Sequence, residues 1–317
     1  MVMYGGGEAM GLADLYVSRA PLYFGGVEAE PERADLLVLG APYDATSSYR
    51  PGSRFAPRAI REAAANIEFY SLRAGIDLED YKIADLGDVV LPVSPQDATR
   101  RLEVVVTDLI DRYPEKLMAV LGGEHSITLG VFKALAKRVK EPCLLVADAH
   151  FDLRSEYMEE QYSHASVMRR IAETFGSDRI FYIGVRAFAK EELEFARNKQ
   201  IEYITSSAAR LLGTREVISR VNRWIKRIGC ENLYVSIDMD VYDPAYAPGV
   251  ANPEPEGLEP WMLLDIVFRV VKEADVELKL FDVVETSPPY DCGGVTSVLA
   301  AKTLLEVFAA YIARRMS

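Results

Sequence analysis

The chain of 317 residues holds only three histidines, His125, His150 and His164. The first closes Leu121-Gly-Gly-Glu-His125, where glycines after an apolar run let the backbone turn tightly. The second is the centre of Asp148-Ala-His150-Phe-Asp152. Alternate residues of extended chain share a face, so these metal-competent side chains are expected to point the same way. Burying them without a counter-charge is costly, and a cation removes that cost. A third cluster, Ser236-Ile-Asp238-Met-Asp240, repeats the alternation after another apolar run. Asp243, before Pro244, suits a turn instead.

The combined donors are His125, His150, Asp148, Asp152, Asp238 and Asp240. Nitrogen and oxygen donors without sulfur suit Mn²⁺, Mg²⁺ or Fe²⁺ better than structural zinc. Four carboxylates exceed what one divalent ion needs for charge balance. Ions about 3.5–4 Å apart, bridged by shared aspartates, fit better. Water between such ions ionises near neutral pH, so the expected chemistry is hydrolysis by a hydroxide.

These residues need a frame. Short apolar runs at Leu36–Gly40, Met118–Leu121, Cys143–Ala147, Ile180–Val185, Leu233–Ile237 and Leu278–Val284 read as buried strands. Helix-like stretches separate them: Pro57–Asn66, Ser94–Tyr113, Ile127–Val139, Ala165–Phe175, Lys190–Lys199, Thr214–Ile228, Glu259–Glu273 and Thr296–Arg314. Ser94 followed by Pro95 is a cap and a first-turn residue. Strands alternating with helices predict a parallel sheet covered on both faces, an α/β fold of three α/β/α layers. A closed eight-fold barrel is the alternative. In open parallel sheets ligands bind beyond the carboxyl ends of the strands, where the three clusters fall.

Composition narrows the classes. Half of the residues are hydrophobic and no linker or repeat divides the chain, so one domain spanning residues 1–317 is expected, with a flexible glycine-rich start. The net charge of −12 disfavours nucleic acid. Cys143, Cys230 and Cys292 form no CxxC pair; the first two are expected to pack as small hydrophobes in a reducing compartment. No basic-then-apolar leader is evident and no run of about 18 apolar residues is seen, so a cytoplasmic protein without a membrane span is expected. Ser126 lies in no GxSxG elbow, and no GxxxxGK[ST] loop occurs.

Together the motifs resemble those of the ureohydrolases, the arginase and agmatinase family, with the greatest likeness to agmatinases of archaeal type. The resemblance rests on Gly40-Ala-Pro-Tyr-Asp44, Arg50-Pro-Gly-Ser-Arg-Phe-Ala-Pro57, Gly122-Gly-Glu-His125, Asp148–Asp152, Tyr162-Ser-His164, Ser236–Pro253 and Asp282–Tyr290. It implies the arginase-like fold with a mainly parallel eight-stranded sheet, and a homo-oligomer, trimer or hexamer. It also implies two Mn²⁺ per subunit. One would be held by His125, Asp148, Asp152 and Asp238, the other by Asp148, His150, Asp238 and Asp240. A metal-bridging hydroxide would attack a guanidinium carbon. Asp152 would carry the proton to the leaving nitrogen, His164 would act as proton shuttle, and Glu285 would hydrogen-bond the guanidinium. Ala56, Ala165 and Gly249-Val-Ala-Asn252 depart from the family pattern, and none is a proposed ligand.

The loop Leu153–Ser163 carries Glu156, Glu159 and Glu160 beside Arg154. Acidic groups there favour a second amine over a carboxylate, which points to agmatine, giving putrescine and urea, a step of polyamine biosynthesis. Glu156 and Tyr162 are candidate contacts. Aminopropylagmatine, arginine and guanidinobutyrate are alternative substrates, and an amide or formimino hydrolase shares the scaffold. A catalytically silent ligand-binding or assembly subunit is the reading of another class. Such a relative is expected to have lost a ligand or His164, and all are present.

Overall fold

A computed structural model describes residues 11–316; the glycine-rich start expected to be flexible lies outside the described residues. The strands are β1 (Val17–Ser18), β2 (Leu36–Ala41), β3 (Tyr70–Ser71), β4 (Ile76–Asp77), β5 (Ile83–Val89), β6 (Leu117–Gly122), β7 (Pro142–Ala147), β8 (Ile180–Val185), β9 (Glu202–Thr205), β10 (Asn232–Asp238) and β11 (Glu277–Val284). The helices are α1 (Leu12–Tyr16), α2 (Ala56–Ala64), α3 (Pro95–Arg112), α4 (Ile127–Ala136), α5 (Val167–Phe175), α6 (Lys190–Asn198), α7 (Ser206–Ile228), α8 (Pro260–Glu273) and α9 (Val295–Arg315).

The main sheet runs β1-β5-β2-β6-β11-β10-β7-β8-β9, open at both edges, so the barrel alternative does not apply. Its eight longer strands are mutually parallel, and the two-residue β1 adds an antiparallel ninth against β5. β3 and β4 form a separate antiparallel pair. Strand side chains alternate between faces. Leu36 and Val38 of β2 join one core while Leu37 and Leu39 join the other; Leu145 and Val146 of β7 divide the same way. Helices α2, α7, α8 and α9 cover the first face, and α3, α4 and α5 the second. Ser94 caps α3 as expected, accepting from Asp97 N at 3.3 Å, with Pro95 in the first turn.

Each expected strand is present, but β5 and β9 were not among them. In β5, Asp85 and Asp88 interrupt the apolar pattern. Both pair with the fully buried Arg61 of α2, at 2.7 and 2.6 Å. A charged strand is tolerated because its counter-ion comes from another element. Helix α7 begins at Ser206 rather than Thr214; a break at Gly213 (φ 75°) makes Thr214 the start of its second half.

Two expectations need correction. Cys143 and Cys230 are buried as expected, yet they are joined as a disulfide rather than packed as thiols. β7 and β10 are neighbours in register, with Leu233 opposite Cys143, which brings the residues 87 apart in sequence to a Cα separation of 5.7 Å. The cysteines therefore lend no support to a reducing compartment. Second, Cys292–Arg315, containing α9, is long and apolar enough to cross a membrane. Most of it is buried in the first core, as befits a central helix of an α/β fold.

Candidate metal centre

The sheet order changes direction between β6 and β7: the chain passes from one to the other across the positions later filled by β11 and β10. The loops leaving these four central strands meet beyond their carboxyl ends, the expected place for a ligand. After β6, Gly123 is backed so closely by Tyr43 that a Cβ would lie 1.9 Å from its carbonyl oxygen. No larger residue fits, and His125 is thereby delivered inward. Glu124, fully buried, accepts from Thr46 N at 2.8 Å, Thr46 Oγ1 at 2.6 Å and Ser126 Oγ at 2.6 Å.

His125 Nδ1 faces three carboxylates: Asp148 Oδ2 at 3.1 Å, Asp152 Oδ2 at 3.1 Å and Asp238 Oδ2 at 3.4 Å. Its Nε2 lies 2.9 Å from Ser236 Oγ. Ser236 spends its own hydrogen on Asp282 Oδ1 at 2.6 Å, so it accepts from Nε2–H. Nδ1 is aimed at anionic oxygens, and although burial opposes it, these carboxylates raise the ring's pKa well above its ordinary value. Both Nδ1 and Asp148 Oδ2 are buried without a hydrogen-bond partner. A cation between them satisfies every member, and a histidine fixed by a hydrogen bond on its far nitrogen is the usual form of a metal ligand.

On the other side, His150 Nδ1 lies 2.9 Å from Asp240 Oδ2 and 3.7 Å from Asp148 Oδ1. Backbone amides hold one oxygen each of Asp148, Asp238 and Asp240. His150 N donates to Asp148 Oδ1 at 2.6 Å, Asp240 N to Asp238 Oδ1 at 2.8 Å, and Ala149 N to Asp240 Oδ1 at 3.0 Å. The opposite oxygens remain for a cation. Two donor groups result, His125–Asp148–Asp152 and Asp148–His150–Asp240, each with ligand atoms within 4.8 Å of one another.

Electrostatics fit the same occupant. Burial, then Asp148, pushes the Asp152 carboxyl up to about 7. Burial, then Asp240 and Asp148, pushes Asp238 well above the ordinary range. Burial acts on Asp148 in the same direction, yet His125 and His150 hold it below the usual carboxylate range. Protein groups alone push Asp152 and Asp238 toward protonation; hard divalent ions keep them ionised.

A cavity of about 480 Å³ opens over the cluster, lined by Asp152, Asp238, Asp240, His150, His164 and Glu285 at the metal end. Asp152 (φ 52°) and Glu285 (φ 64°) adopt left-handed backbone, a cost of about 1–3 kcal/mol for a non-glycine residue that tends to gather at functional sites. Glu285 Oε1 accepts from His125 N at 2.7 Å, while buried Oε2 has no partner. Burial, then Glu124, raises its carboxyl well above the usual range. His164 sits with Nδ1 3.2 Å from Thr46 Oγ1. Thr46 donates to Glu124, so it accepts from Nδ1–H, and Nε2 is left as a proton acceptor. Burial, then His150 and His125, lowers His164 to about 4, so the ring is neutral at pH 7.

The sequence-derived residues thus converge, with two exceptions. Glu156 is exposed, and Tyr162 packs on the second core; neither lines the cavity. Tyr157 does line it, its ring 5.7 Å from His164 in edge contact. Sequence reasoning assigned no role to Thr46, Glu124, Ser236 or Asp282, although each stands in or beside a quoted motif. Arg186 and Glu192, both lining or bracing the cavity, follow and stand beyond β8, a strand from which no chemistry was expected.

Comparisons with known proteins agree with this geometry. The model of the Arginase family matches residues 34–310. The chain is 35% identical over 276 residues to the N(1)-aminopropylagmatine ureohydrolase of Thermococcus kodakarensis, covering 87% of this chain and 90% of that one. It is 38% identical over 274 residues to the agmatinase of Pyrococcus horikoshii, covering 86% and 91%. The solved agmatine ureohydrolase of Thermoplasma volcanium superposes with a TM-score of 0.81 at 38% identity, covering 91% and 93%. A shared fold and matched motifs across nearly the whole length leave one conclusion: the chain belongs to the arginase family and is an enzyme, a hydrolase of guanidino compounds with an Asp/His cluster able to bind metal.

Proposed function

We propose that this protein hydrolyses agmatine to putrescine and urea with two Mn²⁺ ions. The observation that carries the two-ion reading is the position of Asp148. One of its oxygens faces His125 Nδ1 and the other faces His150 Nδ1, so a single carboxylate serves two donor groups. His125, Asp148, Asp152 and Asp238 would hold one ion; Asp148, His150, Asp238 and Asp240 would hold the other. When bound, the ions supply ionised water at neutral pH.

The chain's own residues do the rest. Glu285 Oε2, buried and unpartnered, accepts from the guanidinium and orients its carbon. The water oxygen bonds to that carbon, and the bond to the alkyl nitrogen breaks. Asp152, which lines the metal end of the cavity, passes the proton toward the leaving nitrogen. His164, neutral with Nε2 open, relays protons between the site and solvent. The names of the relatives support agmatine as substrate. The family model's span supports reading the chain as one catalytic unit, which we further read as a cytoplasmic trimer or hexamer.

A urea-release panel tests this: agmatine, aminopropylagmatine, arginine and guanidinobutyrate, each with and without Mn²⁺. Agmatine is expected to give the highest kcat/KM, and only with metal. Asp238→Ala is expected to abolish turnover. Greater activity on arginine overturns the substrate; full activity in the variant overturns the two-ion site.

A further inference from the structure

One acidic side chain of the cavity wall has no hydrogen-bonded partner among the described residues. Six acidic side chains line the cavity: Asp152, Asp238, Asp240, Glu285, Glu192 and Glu254. The first four belong to the metal end. Glu192 is committed to the backbone, Oε1 accepting from Leu153 N at 3.0 Å and Oε2 from Ala189 N at 2.8 Å. Only Glu254, half-buried, makes neither hydrogen bond nor ion pair through its carboxylate among the described residues.

Its position is nevertheless firmly set. Pro253 and Pro255 flank it and restrict the backbone on both sides. Arg186 then clamps this segment to the metal loop. Its guanidinium donates to Glu254 O at 2.8 Å and Pro255 O at 2.9 Å, and to Asp240 O at 2.7 Å. Gly184 O and Val241 O are further acceptors, at 3.2 and 3.3 Å. Spent on carbonyls, Arg186 makes no ion pair among the described residues, and the Glu254 carboxylate acts on it only through space. The remaining cation of the wall, Arg154, is occupied too: it lies 3.5 Å from Glu191 and stacks over Tyr157 at 5.3 Å.

We propose that Glu254, positioned by Arg186, takes the second cation of the substrate, so that the site selects guanidino compounds whose other end is an amine. This rests on the guanidino-hydrolase reading and adds the residue that decides between amine and carboxylate tails. A preset carboxylate in a half-buried wall gains most from a cation whose own partner it becomes, and it repels a carboxylate. The acidic side chains around Glu156 do not perform this role: Glu156 and Glu159 are exposed, Glu160 accepts from Tyr162 N at 2.7 Å, and none of them lines the cavity.

The test compares agmatine with 1-butylguanidine, which has the same carbon chain without the amine. Wild-type kcat/KM is expected to favour agmatine by about tenfold or more. Glu254→Gln is expected to lower that ratio about tenfold, chiefly through KM for agmatine, and Glu254→Asp to keep part of it. Arg186→Lys is expected to lower the ratio as well, with metal content measured alongside. An unchanged ratio in Glu254→Gln overturns this inference while leaving the guanidino-hydrolase reading intact. Absence of urea from every guanidino compound overturns both. The Glu254 carboxylate has no hydrogen bond to lose among the described residues, and a thermal midpoint equal to wild type checks that the variant is folded.

Discussion

Ser236 carries no charge and touches no substrate, yet it decides which nitrogen of His125 is available. Its hydroxyl accepts from Nε2 and donates to Asp282, which also takes hydrogens from Thr128 Oγ1 at 2.6 Å and Tyr234 OH at 2.5 Å. Removing such a support commonly costs 10–100-fold in metal affinity. Ser236→Ala is therefore expected to weaken metal binding by about that factor while the ligand set stays complete, as read by titration of the apoprotein with Mn²⁺. Wild-type affinity in the variant would mean that the ring is oriented by packing alone. None of this was legible locally. Ser236 stands in a motif beside Asp238, but its partners are 111 and 46 residues away. The ligands themselves were legible, because His and Asp at alternate positions after an apolar run have few structural uses.

At the scale of elements, the strands found from sequence were those with uninterrupted apolar runs. β5 escaped because Asp85 and Asp88 break its pattern, and the compensating Arg61 lies on α2. The disulfide escaped for a related reason: it joins β7 to the short link between α7 and β10, and only the sheet order makes them neighbours. Cys143 is the second residue of β7 and Cys230 shortly precedes β10, at the strand ends opposite the metal centre. Closing a long loop of the unfolded chain typically stabilises by about 2–4 kcal/mol. Reduction is thus expected to lower the thermal midpoint by several degrees and to leave kcat/KM unaltered. Thiol titration of the denatured, unreduced protein should find one free thiol, that of Cys292. Three thiols before reduction would refute the bond.

The whole molecule concentrates its acidic excess where it has most consequence. A net charge of −12 attracts cations weakly everywhere, but the buried aspartates around His125 and His150 require one. Metal that binds only the folded state stabilises it by mass action, about 2.7 kcal/mol at a hundredfold excess over Kd. Chelation is expected to lower the thermal midpoint and Mn²⁺ to restore it, with Asp238→Ala indifferent to both. A wild-type midpoint insensitive to metal would sink that reading. The sequence by itself determined the candidate metal ligands and the parallel α/β architecture from residue type and short-range spacing, and His164 and Glu285 as candidates from the motifs that resemble the family's. Only the tertiary structure decided the roles of Ser236, Asp282, Thr46 and Arg186, the disulfide, and which glutamates face the cavity. A loop's acids, such as Glu156 and Glu254, look alike along the chain; which one turns inward depends on clamps from distant strands, and those exist only once the sheet is assembled.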